Sequence, residues 1–286
     1  MIIGQKKIIK ELTTALEITK AEKRTMPHIL FYGGRGMGKT TLSSWVSDQI
    51  GSKFYAINGG MITKENLGDT LLQLKKGDVL FIDEVHSIRL SAVEELYTPM
   101  QDYVINYYFM GAITKVDMPE FTLVGATTEA GKLSKPLLDR FIYSFIMEPY
   151  TPDELKDILI TNARRKVDED ALLQLVALSQ SNPRVGINLL ISCENLTRKT
   201  VTIDIVNNLM ELRGIRSNGV SDIQIKYLEF LNNLNVPVGK NYLATFIGLS
   251  ESMIEDHIEP LLVQKGLMVR SQKGRLITPK GKQLFI

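Results

Sequence analysis

The chain has 286 residues, 34 Lys+Arg against 32 Asp+Glu for a formal net charge of +2, and 44% hydrophobic and 23% charged residues. These values exclude a disordered chain, a uniformly basic nucleic-acid coat and an acidic tail protein, and the length implies two or three domains. The single cysteine, Cys193, excludes an intrachain disulfide and a cysteine-held zinc, and with no signal-peptide layout at the start and no apolar run of about 18 residues, a cytoplasmic protein with no membrane span is expected.

In chain order, a helical period covers residues 5–22. Short apolar runs at 28–32, 53–57, 78–82, 121–126 and 144–148 then alternate with helical patterns at 39–50, 64–74 and 93–102. Strand–helix alternation predicts a parallel sheet covered on both faces, an α/β domain over residues 1–150. Between residues 104 and 118, apolar residues flank Met110-Gly111 and predict a hairpin, with Tyr107, Tyr108 and Phe109 either facing a partner or buried.

Residues 151–215 read as helices only, opening on Thr151-Pro-Asp-Glu154, a helix start with acids at the positive dipole end. Residues 216–286 carry helical patterns at 222–234, 242–248 and 252–265, then two short strands at 267–271 and 275–278, a winged helix-turn-helix pattern. Six basic and no acidic residues follow Glu259, so the near-zero total charge hides a basic end. Arg270, Lys273 and Arg275 cluster on the hairpin with Lys280 and Lys282 beside it. Such a set either attracts DNA phosphates without reading sequence or forms a solvated strand pair; no set suited to base readout stands on a helix.

The strongest motif is Gly33-Gly-Arg-Gly-Met-Gly38-Lys39-Thr40, the G-x-x-x-x-G-K-[ST] phosphate loop, after a strand and at the mouth of a helix. Gly33, Gly36 and Gly38 let the backbone wrap phosphates, the helix start offers free N–H groups, Lys39 reaches the outer phosphates, Thr40 ligates Mg²⁺, and Thr41 follows it. The second motif, Val79-Leu-Phe-Ile-Asp83-Glu84, ends a strand in two carboxylates: Asp83 for the metal, Glu84 to polarise the attacking water. ATP and Mg²⁺ are the cofactors these motifs imply. Thr127 and Thr128 end a further strand within reach of such chemistry. Arg140 reads either as an arginine finger or as a salt-bridge partner of Asp139 or another acid. Arg184, after Asn182-Pro183, either reaches the nucleotide or is exposed.

These residues carry a resemblance to the RuvB family of AAA+ ATPases, which drive branch migration of Holliday junctions. The stretches HILFYG, GMGKTTL, GDVLFIDEVH, EELYTPMQDY, PEFTLVGATTEAGKLSKPLLDRF, NPRVGINLL and EPLLVQKGLMVRSQKGR resemble its signatures in order. The resemblance implies an α/β P-loop ATPase domain over 1–150, a helical lid over 151–215 and a C-terminal winged helix over 216–286, assembled as a hexameric ring on duplex or four-way-junction DNA. It assigns Lys39 and Thr40 to phosphate and metal, Asp83 to the metal, Glu84 to the catalytic base, Thr128 to the first sensor with Thr127 adjacent, Arg140 to a finger presented to the neighbouring subunit, and Arg184 to the lid sensor. Ile3 and Tyr150 stand where the base would pack.

The chain departs from the family at Gly34 and Arg35, where two prolines are usual, at Glu129 and Leu138, where arginines are usual, and at Gln101, where a Glu is expected. The usual N-terminal extension is missing from the sequence, and the hairpin at 104–118, which in the family docks the junction-binding partner RuvA, is about four residues short. A motor on branched DNA is the leading expectation, and an ATP-gated DNA-binding initiator or loader without translocation is its rival.

Overall fold

The computed structural model describes residues 2–109, 112–216 and 219–285. The chain divides into two compact units, Met1–Asn162 with Ser179–Ile187, and Ala163–Leu178 with Asn188–Ile286.

In the first unit, helix α1 (Lys6–Ala21) precedes β1 (Ile29–Tyr32), α2 (Lys39–Ile50), β2 (Phe54–Asn58), α3 (Lys64–Leu72), β3 (Val79–Asp83) and α4 (Leu90–Asp102). The hairpin β4 (Val104–Phe109) and β5 (Ala112–Asp117), then β6 (Thr122–Thr127), α5 (Lys135–Leu138), β7 (Tyr143–Ile146) and α6 (Pro152–Asn162) follow. Five strands form one parallel sheet in the order β2-β3-β6-β1-β7. The three middle strands are buried along nearly their whole length because both faces are covered, and apolar residues dominate them. Leu30, Leu80, Ile82, Phe121 and Leu123 pack with Leu67, Leu71, Val93 and Leu96 of α3 and α4. Each such side chain contributes about 1.5–3 kcal/mol by leaving water.

The strand order positions the site. The phosphate loop leaves β1 and the two acids end β3, while β6, ending in Thr127, runs between those strands. Loops at the carboxyl ends of parallel strands converge there, where ligands of open α/β sheets bind.

The hairpin expected at 104–118 is present, with Val104 opposite Asp117 and Phe109 opposite Ala112. Its tip, Met110-Gly111, and the side chains of Tyr107, Tyr108 and Phe109 lie outside the described residues.

The second unit holds α7 (Glu169–Leu178), most of α8 (Pro183–Leu196), α9 (Ile203–Leu212), α10 (Asp222–Leu234), α11 (Lys240–Ile247), a broken helix, the wing β8 (Met268–Ser271) and β9 (Gly274–Ile277), and a last short helix, Pro279–Lys282. The single helix expected over 252–265 is instead Glu251–Met253, a π-turn Ile254–Ile258 and Glu259–Gln264. Pro260 has no N–H to give and its ring crowds the preceding turn, which widens the helix there. Val238 and Arg275 exchange backbone hydrogen bonds (3.0 and 2.8 Å), which ties the loop before α11 to the wing. Cys193 is buried and its thiol is pushed up to about 11 by burial, so it is inert core. Among the described residues no helix is long and apolar enough to cross a membrane.

Candidate nucleotide site and nucleic-acid interface

The residues 33–38 form the loop between β1 and α2. Gly36 (φ 78°) and Gly38 (φ 87°) have left-handed backbones that favour glycine, and a β-carbon on Gly38 would meet the Tyr150 hydroxyl at 2.8 Å. Gly33 passes equally close to Met147. Tyr150 is buried, donates its hydroxyl to the Met37 carbonyl at 3.2 Å, and packs its ring against Gly4. Gln5 pairs both ends of its amide with the Glu148 backbone (2.7 and 3.1 Å), anchoring the segment that carries Ile3. Tyr150 therefore supports the loop from below. Thr40 and Thr41 are exposed at the first turn of α2.

Lys39 is buried and donates to the carbonyls of Gly33 (2.8 Å) and Gly34 (2.9 Å). Burial lowers its pKa first; the charges of Glu84 and Asp83 oppose that, and those of Arg184 and Arg35 add to it. The structure thus brings Lys39, Asp83, Glu84 and Arg184 into one electrostatic group. Arg184 is exposed on the first turn of α8, and Asn182 fixes that turn. The Asn182 amide nitrogen donates to the Arg35 carbonyl at 2.8 Å, and its oxygen accepts from the Arg184 backbone at 3.0 Å. Asn182 was not singled out from sequence: an Asn before Pro reads as an ordinary helix start, and its grip on the phosphate loop is non-local.

Asp83 ends β3 and accepts from the Glu84 backbone at 3.0 Å. Glu84 has a left-handed backbone (φ 50°, ψ 51°), uncommon for a side-chain-bearing residue. Its carboxylate oxygen Oε2 accepts from the hydroxyl (3.2 Å) and backbone N–H (3.4 Å) of Thr128. Thr127, the neighbouring threonine, lies 2.8 Å from His86 Nδ1. His86 is a second residue that sequence reading left unassigned.

Arg140 is held elsewhere. It donates to the carbonyls of Tyr97 (3.0 Å) and Pro136 (2.6 Å) and to Gln101 Oε1 (3.1 Å), with its guanidinium 4.5 Å from the centre of the Tyr97 ring. Among the described residues it pairs with no carboxylate, so the salt bridge to Asp139 is not formed.

In the second unit, the wing arginines are partnered internally. Arg275, its side chain only 13% exposed, bonds Glu259 (2.9 Å) and Glu255 (2.7 Å). Arg270 pairs with the same fully buried Glu259 and donates to the Glu255 carbonyl at 3.0 Å. The Tyr227 hydroxyl donates to Glu259 at 2.6 Å, and burial, then that carboxylate, pushes its pKa far up. Lys273, in the turn, is exposed and makes no ion pair among the described residues.

A family model described as the Holliday junction DNA helicase RuvB P-loop domain matches residues 1–147, and one described as the RuvB C-terminal winged helix domain matches residues 217–286. The chain is 36% identical to the Holliday junction branch migration complex subunit RuvB of Nitratiruptor sp., over 99% of this chain and 88% of that protein. It is equally similar (36%) to the same subunit of Aliarcobacter butzleri, over 99% and 86%. Among solved structures, the Thermotoga maritima RuvB Holliday junction branch migration motor superposes with a TM-score of 0.83 at 31% identity, covering 99% of this chain and 95% of that one.

Proposed function

The chain belongs to the RuvB family, and from that premise we propose that it is an ATP-driven motor that moves the branch point of four-way DNA junctions. The observation that carries the reading is the convergence of Lys39, Asp83 and Glu84 at the carboxyl ends of β1 and β3, with Thr128 on the Glu84 carboxylate. That is the apparatus of phosphoryl transfer, in which positioning and electrostatics do nearly all the work.

In this mechanism the free N–H groups of the loop and of the α2 start bind the phosphates of ATP. Lys39 leaves the carbonyls of Gly33 and Gly34 for the outer phosphates, and Arg184 adds a second cation. Thr40 and Asp83 would hold Mg²⁺. One hydroxyl and one carboxylate, with no cluster of three metal-ligating side chains among the described residues, suit an ion that completes its shell with phosphates and water. When bound, the ion neutralises charge on the phosphates. Glu84 accepts a proton from the water that attacks the γ-phosphorus, releasing ADP and phosphate. Thr128 aligns that carboxylate. Arg140, fanned out by Tyr97, Pro136 and Gln101, acts on the nucleotide of a neighbouring copy in a homo-oligomeric, hexameric ring. Ile3 packs toward the base.

The division of labour follows the sequence: residues 1–150 as ATPase module, 151–215 as lid, and 216–286 as the part that grips DNA through Lys273 and its neighbours. The hairpin carrying Tyr107, Tyr108 and Phe109 docks a RuvA-like junction-binding protein, and the motor works in the cytoplasm. The test is a branch-migration assay on a synthetic four-way junction, with and without such a partner. ATP-dependent resolution into duplexes is expected. ATP-dependent binding without strand movement would assign the chain to the initiator or loader class instead. Mixing Arg140→Ala with Glu84→Gln subunits should restore part of the turnover that each lacks alone; no recovery would sink the finger in trans.

A further inference from the structure

His86 lies on the short turn Val85–Ser87 that follows Glu84. Its Nδ1 stands 2.8 Å from Thr127 Oγ1 and 3.3 Å from Glu84 Oε2. This is the same carboxylate oxygen that accepts from Thr128. The imidazole and Thr128 therefore converge on one oxygen of Glu84, from the turn after β3 and from the end of β6, and Thr127 braces the imidazole.

Elementary chemistry assigns the proton. The Thr127 hydroxyl already accepts from the Glu129 backbone at 2.9 Å, which leaves it one lone pair. A neutral imidazole whose Nδ1 lacked hydrogen would turn a lone pair toward a carboxylate oxygen 3.3 Å away. With the hydrogen on Nδ1, the ring donates to Thr127 and presents its positive N–H edge to Glu84. The Glu84 charge thus favours the Nδ1–H tautomer, as a carboxylate does wherever it orients a histidine. Oε2 is then surrounded by donors, and Oε1 is the oxygen left to take a proton.

We infer that His86 is a positioning residue for hydrolysis: its Nδ1–H, braced by Thr127, holds the Glu84 carboxylate in the orientation that accepts a proton from the attacking water. The inference rests on Glu84 being the base. The side chain of His86 is 14% exposed and that of Glu84 24%, so water screens the contact only in part. The turn is itself constrained, because the Glu84 carbonyl accepts from both the backbone (2.8 Å) and the hydroxyl (2.7 Å) of Ser87. The carboxylate torsions are the freedom that remains, and those are what Nδ1 and Thr128 restrict.

The geometry gives a discriminating pair of substitutions. An asparagine amide nitrogen falls near the position of imidazole Nδ1, whereas a glutamine amide falls near that of Nε2. The full-length protein, with four-way-junction DNA, is assayed as wild type, His86→Asn, His86→Gln and His86→Leu for steady-state ATP turnover. Affinity for a fluorescent ADP analogue with Mg²⁺ and the thermal midpoint are measured in parallel. His86→Asn should keep kcat within about 3-fold, and His86→Gln and His86→Leu should lose about 10-fold or more, the scale of losing a group that orients a catalytic ligand. Analogue affinity should stay within about 2-fold in all three, since the phosphate loop is untouched. Should His86→Leu unfold, His86→Gln carries the comparison. Wild-type kcat in His86→Gln or His86→Leu, an equal loss in all three variants, or a loss confined to affinity would overturn the inference. Glu84→Gln separates the two ideas. If it still turns over ATP, the base assignment fails. If it is inactive while His86→Leu is normal, only the role of His86 fails.

Discussion

The backbone of Gly59 runs so close to Glu84 that a β-carbon on Gly59 would lie 2.6 Å from the Glu84 carbonyl oxygen and 2.9 Å from the Ser87 hydroxyl. Gly59 follows β2 and Glu84 follows β3, and these strands pair in register up to Asn58 and Asp83. The left-handed turn that aims the Glu84 side chain is therefore packed against a position that tolerates no side chain.

Gly59→Ala should damage turnover without damaging nucleotide binding. The obstructing atom is backbone, so the β3 turn must move; overpacking of this kind costs about 1–3 kcal/mol. A shift of the Glu84 carboxylate should lower kcat about 10-fold or more, because catalytic geometry is steep in distance. Turnover, ADP affinity and the thermal midpoint are the measurements. Wild-type kcat with a lowered midpoint would separate Gly59 from the chemistry.

Lys39→Met should abolish nucleotide-dependent stabilisation and leave the empty protein as stable as before, or more so. The Lys39 pKa is lowered, chiefly by burial, so the folded chain holds that proton less firmly than the unfolded chain. The cost of burying the cation is present at pH values below the folded pKa, and methionine removes it. Wild type at about 100 times the Kd of ADP gains about 2.7 kcal/mol, and the variant should gain none. Thermal melts with and without ADP and Mg²⁺ decide it. A variant that loses stability in the empty state would show that the hydrogen bonds to Gly33 and Gly34 outweigh the burial cost.

His28 should make the fold acid-sensitive. It is buried, its Nδ1 accepts from the Leu123 backbone at 2.9 Å and its Nε2 bonds the Met100 carbonyl at 2.8 Å, so both nitrogens are used by the neutral ring. Burial lowers its pKa, and the Met100 bond opposes that only in part. As pH falls below about 6.5 the unfolded chain takes up a proton that the folded chain refuses, so stability declines, by at most about 1.4 kcal/mol per pH unit from this group. His28→Gln should be less stable near neutrality but flatter against pH between about 7.5 and 5.5. Urea midpoints across that range test it, and parallel curves for the two proteins would exclude His28 as the source.

The parts of the site written in adjacent residues are legible in the sequence itself. The phosphate loop, the Asp83-Glu84 strand end and the threonine pair each follow an apolar run, and the strand order then brings them together. What escaped was non-local. Nothing in the chain near Gly59 announces Glu84, and Asn182 looks like an ordinary helix cap. His86 is visible as a histidine beside the acids, yet its Nδ1 has a partner only because β6 ends where it does. The wing shows the same limit. A basic stretch with no acid after Glu259 suggests free cations, but the acids precede it on the helix that packs beneath. The contacts from Arg275 span 16 and 20 residues, beyond any local pattern.

That arrangement separates two kinds of basic residue on the wing. Arg275 is nearly enclosed and neutralises Glu259, which is fully buried and also receives Tyr227 and Arg270. Removing one member of a buried charge pair costs about 3–5 kcal/mol where the other is left uncompensated; Arg270 and Tyr227 stay on Glu259, so the loss here is about 1.5–3 kcal/mol, the scale of a hydrogen bond to a charged group. Arg275→Ala should therefore destabilise the winged-helix region by that order, and Arg275→Lys should not restore it, because an ammonium cannot serve Glu259 and Glu255 together as the planar fork does. Lys273 is exposed in the turn, so Lys273→Ala should leave the unfolding midpoint within about 0.5 kcal/mol of wild type. If it meets one DNA phosphate, the same variant should reduce the slope of log affinity against log salt by about 0.9. Urea unfolding and duplex binding at several salt concentrations give both readouts on the same proteins. If Arg275→Ala kept full stability and lost one phosphate from the salt slope, Arg275 would be a DNA contact and the Glu259 pair incidental. If Lys273→Ala left the slope unchanged, the turn would not touch DNA at all.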